Sequence, residues 1–285
     1  MGKLKIIKWI LPVVILFCME LTALAQVYPT AGTKYLTVNG KPVFINGANY
    51  SPSKGWFQIL DNWNAKDIEQ DMDALQSIGI DFIRFMPLWY LTQPEKDKFD
   101  QQKIDRLNEL VTIAGKRNIL VQPSLITGWL DGGIFTPPWI DKNMFTNVDE
   151  VNATIKMVKT ISKSLSSNPY VHSYDFGNEI NALKAVGRYT ATPEQTKLWM
   201  AAIYKAFKDG DSKRLVTNGI GTGYDEFFPV ENIATACDFM SAHSYPYFHA
   251  TLRDDLSGGG TGAHWRPASI GRSAATPASP PRRSS

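Results

Sequence analysis

Hydrophobic positions along the chain follow two alternating patterns, one typical of helices and one typical of short buried strands. Apolar side chains recur every three or four residues at Ile68, Met72, Leu75 and Ile78, between an asparagine and a glycine that favour helix ends. Short runs such as residues 80–85 are instead continuously apolar or alternate, which is typical of strands. The repeated alternation predicts right-handed βαβ units and a parallel sheet.

Six such strands are predicted, with helices between them. The strands are expected at residues 46–50, 80–85, 119–121, 171–174, 214–218 and 238–242, and Asn64, Asp100 and Thr192 are expected helix caps. This spacing favours a (β/α)8 TIM barrel with about six of its eight units present. The alternative is a doubly wound sheet, but residues 46–50 lack its glycine-rich phosphate turn. Asn39-Gly40 predicts a hairpin ahead of the barrel.

The first 25 residues have the three parts of a secretory signal peptide. Lysines at positions 3, 5 and 8 precede an apolar stretch that is too short to span a membrane, and Ala23-Leu24-Ala25 matches a cleavage site. We therefore expect cleavage before Gln26 and a secreted or periplasmic chain with no stable membrane association. The alternative is a lipoprotein anchored at Cys18, against which the bulky preceding residue argues.

The composition changes at residue 257. Residues 257–285 consist mainly of Ser, Gly, Ala, Pro and Arg without apolar periodicity, which predicts a disordered tail after a partial barrel at residues 26–256. This stretch follows the sixth predicted strand, although a linker is expected after a complete domain. The sequence therefore favours a frame change or a gene fragment, with a flexible linker to a further module as the alternative.

Charge and cysteine content exclude some classes of function. The net charge of +3 comes from lysines near the start and arginines near the end, so it predicts no nucleic-acid partner. After signal cleavage Cys237 is the one remaining cysteine, so we expect a small buried side chain and a fold that depends on its apolar core. No His/Cys/Asp cluster has metal-ligand spacing.

Polar residues stand where the predicted strands end, and in a TIM barrel the chemistry lies at those ends. They are Asn49, Arg84, Asn178-Glu179, Asn218 and His243-Ser244-Tyr245. We interpret Gly177 as a sharp turn that places the Glu179 carboxylate at the barrel mouth. The alternative is an exposed corner with a solvated glutamate.

Tryptophans lie in the predicted loops beside these strand ends. Trp89 and Trp129 are candidate platforms for a sugar, because pyranose rings have apolar faces and hydroxyl rims. The alternative for each tryptophan is packing. The pattern points to a carbohydrate partner.

Four motifs in this order resemble the clan A glycoside hydrolases, and most of all the cellulase and β-mannanase family called family 5. They are Asn39-Gly40-Lys41-Pro42, Ile83-Arg84, Gly177-Asn178-Glu179 and His243-Ser244-Tyr245, within roughly residues 33–250. The resemblance implies a retaining glycoside hydrolase that acts without a cofactor on a β-linked polysaccharide or oligosaccharide of the glucan or mannan type.

The resemblance also implies a role for individual residues. It makes Glu179 the general acid/base and Asn178 the residue that holds the sugar 2-hydroxyl. It implies that Arg84 steadies the nucleophile and that His243 and Tyr245 support the two carboxylates. A retaining glycosidase needs two such carboxyls about 5 Å apart, one protonated and one ionised.

The sequence departs from the family pattern in two places. Gln122-Pro123-Ser124 stands where the family often has a histidine, and the nucleophilic glutamate of a seventh strand is missing because no glutamate follows Glu231. The spare acids nearby are Asp225, Glu226, Asp254 and Asp255, and none of them stands where a seventh strand would end. We expect the chain as written to be nearly inactive. The alternative function is a non-catalytic carbohydrate-binding protein on a degenerate barrel.

Overall fold

The computed structural model describes residues 29–32, 35–130, 133–185, 189–220 and 227–243. The strands are β1 (Thr30–Ala31), β2 (Leu36–Val38), β3 (Lys41–Pro42), β4 (Gly47–Tyr50), β5 (Phe82–Phe85), β6 (Leu120–Pro123), β7 (Trp129–Leu130), β8 (Gly133–Ile134), β9 (Ser173–Asn178), β10 (Leu215–Ile220) and β11 (Phe239–Ala242). The helices are α1 (Ala65–Ser77), α2 (Trp89–Thr92), α3 (Gln101–Gly115), α4 (Val148–Leu165), α5 (Ala182–Ala185), α6 (Pro193–Gly210) and α7 (Val230–Ala234). A 3-10 helix at Trp56–Leu60 precedes α1.

Six parallel strands form the centre of the fold. Strand β5 pairs with β4 and β6, and β10 pairs with β9 and β11, all in parallel. The two halves meet where Val121 pairs with Val171 and Ser124 pairs with Asp175. The spatial order β4-β5-β6-β9-β10-β11 follows the chain, with a helix between most neighbours, as in a TIM barrel. The predicted α/β barrel architecture is confirmed.

Local hydrogen bonds fix where the helices begin. The side chain of Asn64 accepts from the Lys66 amide at the start of α1, and Asp100 accepts from the Lys103 amide at the start of α3. Thr192 and Gln195 bond each other's backbone amides in a capping box at the start of α6. These caps confirm the predicted helix starts, because each satisfies an amide that has no partner within the helix.

Strand β9 separates an apolar layer from a polar barrel interior. Tyr174 and Phe176 point outward and stack on Phe207 of α6, with ring centroids 5.4 and 5.6 Å apart. Since side chains alternate along a strand, Ser173 and Asp175 point to the opposite face, into the barrel. All six residues of β9 are buried, so this alternation puts a carboxylate into the interior.

Trp89 belongs to the core, which corrects its prediction as a sugar platform. Its side chain is 1% exposed, and its indole nitrogen donates to Oε1 of Gln93 at 2.7 Å. Its ring meets that of Trp139 edge to face at 5.7 Å. A sugar platform needs one open ring face, and this ring is enclosed by packing.

His172 gives the fold a testable dependence on pH. The ring is 5% exposed, lies edge to face with Phe82 and has Nδ1 2.8 Å from the Ser173 hydroxyl. Burial lowers the pKa of His172 from 6.5 to about 4, since the charged form is poorly solvated there. Between those two values the unfolded chain therefore binds a proton that the folded chain does not.

The free energy of unfolding should consequently fall as the pH drops from about 6.5 towards 4, by up to about 3 kcal/mol from this residue. Urea unfolding of the wild type and of His172→Gln across this range measures the effect. The variant should show a shallower pH dependence, because glutamine does not titrate. Equal slopes for the two proteins would show that His172 is not the titrating group.

Several predicted features lie outside the described residues. These are the signal peptide at residues 1–25, the tail at residues 257–285, Tyr245 and the acids at 225, 226, 254 and 255. In the part of the chain that is described, no helix has the length and apolar character needed to cross a bilayer. Cys237 there is a free, half-buried thiol packed at the edge of the core.

Candidate active site

The carboxyl end of β9 brings Glu179 to the barrel mouth, but the turn is made by a residue other than the one predicted. Gly177 and Asn178 continue the strand, and the first residue beyond it, Glu179, has a positive φ of 47°. Its backbone amide donates to the Gly219 carbonyl of β10 at 3.1 Å. The backbone therefore turns at Glu179 itself, a left-handed conformation that costs free energy in a non-glycine residue.

Gly177 is required for the close approach of the segment after β6 to strand β9. A Cβ atom built there would lie 1.9 Å from the carbonyl oxygen of Ile126. At the same place the Ile126 amide donates to the Phe176 carbonyl at 2.6 Å. The prediction of a turn at Gly177 is wrong, and the glycine instead lets the segment after β6 close against β9 beneath the site.

Glu179 and His243 form a pair across the mouth of the barrel. Oε1 of Glu179 lies 3.0 Å from Nδ1 of His243, although 64 residues separate them in sequence. The two side chains are 19% and 12% exposed, so the pair is shielded yet reachable from solvent. A glutamate held by a histidine at this depth has the geometry of a group that exchanges a proton with a bound molecule.

Asn178 and Arg84 form the second part of the site. Nη1 of Arg84 donates to Oδ1 of Asn178 at 3.0 Å and to Oδ1 of Asn49 at 3.3 Å. Nδ2 of Asn178 donates to the Trp129 carbonyl at 2.7 Å. This ties the β7–β8 hairpin, which carries half-exposed Trp129, to the residue beside Glu179.

Asp175 is a site residue that reasoning from the sequence missed. It lies behind Arg84, 0% exposed, and its Oδ2 is 2.5 Å from Nη2 and 2.7 Å from Nε of the guanidinium. Ser124 donates to the same oxygen at 2.9 Å. The available signal was a charged residue between two aromatic ones in a strand that is otherwise buried, since such a charge needs a partner.

A polar layer lies below this ion pair. Gln122 stands where the family often has a histidine, and its amide nitrogen Nε2 donates to the Ser173 hydroxyl at 2.7 Å. The same Ser173 hydroxyl lies 2.8 Å from Nδ1 of His172. Gln122 is 5% exposed, so its amide is directed to a partner inside the barrel.

Asn218 does not join the polar ring, which corrects its prediction. It is 1% exposed, and its Nδ2 lies 3.6 Å from the sulfur of Met200 in α6. Thr217 pairs with the inward-facing Asp175, and Gly219 also lies against the barrel interior, so the alternation along β10 directs Asn218 between them to the helix layer. Asn49, Arg84, Asn178, Glu179 and His243 are brought together as predicted, whereas Tyr245 lies outside the described residues.

Within the described ranges, no group of three or more His, Cys, Asp or Glu side chains is arranged to hold a metal ion. The polar atoms at this site are donors and acceptors for hydrogen bonds, which is the composition of a site for hydroxyl-rich ligands.

Solved structures of several glycoside hydrolases share this fold. A variant of a GH5_18 protein from Streptomyces cattleya, in complex with Manβ1-4GlcNAc, has a TM-score of 0.70 and 25% identity, covering 74% of this chain and 54% of its own. The exo-β-1,4-mannosidase Op5Man5 from Opitutaceae bacterium strain TAV5 has a TM-score of 0.67 and 25% identity, covering 79% and 41%. The endo-1,4-β-mannanase from Rhizomucor miehei, with a TM-score of 0.61, 16% identity and coverage of 79% and 73%, is similar in fold alone.

The chain spans about half the length of the GH5_18 structures that it matches. No family model matches the sequence, and no curated protein sequence is significantly similar to it. The similarity is therefore one of three-dimensional fold at low sequence identity.

Proposed function

We propose that this chain, whose described part is a GH5-like barrel of clan A, takes part in the hydrolysis of β-mannosidic bonds with Glu179 as the general acid/base. The observation that carries the proposal is the Glu179–His243 pair, 3.0 Å apart at the ends of two parallel strands. Asn178 and Arg84 lie directly beside it. In a TIM barrel this is the face where catalysis takes place.

The proposed chemistry needs a carboxyl group that first gives and then takes a proton. Protonated Glu179 would donate to the glycosidic oxygen as the bond breaks and would then deprotonate the water that attacks the intermediate. His243 Nδ1 can hold the carboxyl in place during both steps. The 19% exposure of Glu179 is consistent with access to a leaving group at the mouth.

Asn178 is proposed to bind the sugar next to Glu179. Its Nδ2 carries two protons, one of which is used by the Trp129 carbonyl, so the second can be donated to a hydroxyl group. Arg84 fixes the amide through its other end, since Oδ1 accepts from Nη1. A hydroxyl bound there would lie within reach of both Glu179 and Trp129.

The substrate class is proposed from the proteins that share the fold. One of them is bound to Manβ1-4GlcNAc and another is named an exo-β-1,4-mannosidase. These two proteins favour a β-mannoside over the β-glucan that the sequence left open. The sequence lacks the glutamate expected as the attacking carboxylate of the retaining mechanism, so turnover by the chain as written would require one of the spare acids Asp225, Glu226, Asp254 or Asp255 in its place.

A second candidate is a carbohydrate-binding protein that does not hydrolyse its ligand. This candidate is favoured by Asp175, the carboxylate behind Arg84. Both carboxylate oxygens of Asp175 already accept hydrogen bonds from the protein. That carboxylate is buried and engaged, so it cannot attack a sugar. In this second candidate, the proposed site residues would bind a sugar without breaking its glycosidic bond.

One assay separates the two candidates. The full chain is incubated with Manβ1-4GlcNAc, β-1,4-mannobiose and 4-nitrophenyl β-mannoside, with 4-nitrophenyl β-glucoside for comparison, and binding is followed by calorimetry in parallel. Turnover of the mannosides supports the hydrolase. Saturable binding without turnover favours the binding protein, and neither binding nor turnover would contradict both. Export with cleavage before Gln26 stays a prediction of the sequence.

A further inference from the structure

Asp175 is the most completely engaged carboxylate near the site. Its Oδ2 accepts from Arg84 and Ser124, and its Oδ1 accepts from the backbone amides of Gly219 at 2.9 Å and Gly177 at 3.3 Å. The residue is 0% exposed, at the middle of β9. Stability alone is a poor reason for such an arrangement, because buried ion pairs are often replaceable by apolar residues without loss.

Each partner of Asp175 contacts a residue of the proposed site. Arg84 donates from Nη1 to Asn178 at 3.0 Å while its Nε and Nη2 are held by Asp175. Gly219 donates its amide to Asp175 and accepts the Glu179 amide on its carbonyl at 3.1 Å. Asp175 is thus linked to Asn178 through Arg84 and to Glu179 through Gly219.

The packing around Gly219 brings a third site residue to the same point. A Cβ atom at this glycine would lie 2.9 Å from Nε2 of His243, 3.0 Å from Nη2 of Arg84 and 3.1 Å from Oδ2 of Asp175. The absent side chain lets the histidine that contacts Glu179 rest against the ion pair. A change at Asp175 should therefore alter the environment of His243 as well.

We propose that Asp175 is the positioning residue of this site. It holds the guanidinium of Arg84 in the orientation that presents Asn178, and it holds the β10 backbone on which Glu179 turns and against which His243 packs. It touches neither the substrate nor the transferred proton. The inference concerns the geometry of the site and rests on the proposed function only for its effect on turnover.

The test replaces the carboxylate by an amide of the same shape, Asp175→Asn. The chain has a matched control, since Asp211 forms a second buried pair with Arg214 at 2.9 Å, with side chains 2% and 0% exposed. Arg214 bonds the Val171 carbonyl, before the start of β9 and thus away from the barrel mouth. Asp211 also accepts from the Tyr174 hydroxyl at 3.0 Å, on the helix side of β9. Asp211→Asn therefore breaks a comparable ion pair outside the barrel interior, and its carboxylate bonds none of Arg84, Asn178, Glu179 or His243.

Two measurements are made on the full chain. In ¹H–¹⁵N NMR spectra, Asp175→Asn should shift the Asn178 side-chain amide and the Glu179 backbone amide and abolish the exchange protection of Arg84 Nε–H, whereas Asp211→Asn should leave all three unchanged. In the 4-nitrophenyl β-mannoside assay, Asp175→Asn should lower kcat by roughly 10²-fold, as displaced catalytic groups do, with a smaller change in KM.

The outcomes separate this inference from the proposed function. If the wild type shows no turnover, the NMR spectra still decide the role of Asp175. If Asp175→Asn does not fold, Ser124→Ala removes one hydrogen bond to the same oxygen and should shift the same three signals by smaller amounts. Signals at wild-type positions in whichever of these variants folds would overturn the inference.

Discussion

Where the wild type turns over β-1,4-mannobiose, the Glu179→Ala variant should hydrolyse it more slowly by roughly 10²–10⁴-fold, the usual contribution of a general acid/base. The leaving group of this substrate is a poor one and needs the proton that Glu179 would donate. 4-Nitrophenyl β-mannoside releases a stable phenolate, so the loss of its bond-breaking step should be much smaller. The comparison uses kcat/KM for both substrates with the wild type and the variant, because this ratio reports the steps up to bond cleavage, whereas kcat also includes hydrolysis of the intermediate, for which Glu179 is the proposed base.

Azide provides a second test of the same prediction. It attacks the glycosyl intermediate without needing a base, so it should partly restore turnover of the aryl mannoside by Glu179→Ala and give a mannosyl azide. The control is Glu109→Ala, an exposed glutamate on helix α3, which should behave like the wild type. Equal losses on both substrates with no effect of azide would remove Glu179 from the acid/base role.

Gly177→Ala should be the most destabilising small substitution beside the site. The new Cβ would lie 1.9 Å from the Ile126 carbonyl oxygen and 2.6 Å from its carbon, and these are backbone atoms that cannot swing away. The segment after β6 must move away from β9, at a cost of about 3 kcal/mol or more in the free energy of unfolding. Since Asn178 and Glu179 follow directly, ligand binding should fall too.

Urea unfolding measures this loss, and Gly40→Ala is the matched control. Gly40 lies in the β2–β3 hairpin with a φ of +72°, and a methyl group on its Cα would meet no other atom within 4 Å. The same substitution there costs only about 1–2 kcal/mol of backbone strain. If the two variants are equally stable, the steric account of Gly177 is wrong.

Much of the helical framework could be predicted from the sequence. The starts of α1, α3 and α6 were predicted from Asn64, Asp100 and Thr192, because a cap bonds to an amide only two or three residues away. The six strands were predicted for a similar reason, since buried parallel strands are apolar over a continuous run. Both signals are local in the chain.

Part of the site could be predicted as well. The residues at the strand ends included Arg84, Asn178, Glu179 and His243, and the parallel order of the strands accounts for their meeting at one edge. The identity of these residues and their placement at strand ends followed from sequence. The contacts between these residues could not be predicted. The Glu179–His243 distance, for example, depends on β9 and β11, which both pair with β10.

The tertiary structure alone decided which side chains face inward and which glycines are essential. The pairing of Thr217 with inward-facing Asp175 placed Asn218 on the helix side of β10, and packing with Trp139 enclosed Trp89. Asp175 was not assigned a role because its partners are 91 residues before it and 44 residues after it in sequence. A sequence specifies where a strand ends and what it carries, but register and strand spacing are set by contacts between distant segments, and these decide the direction of each side chain.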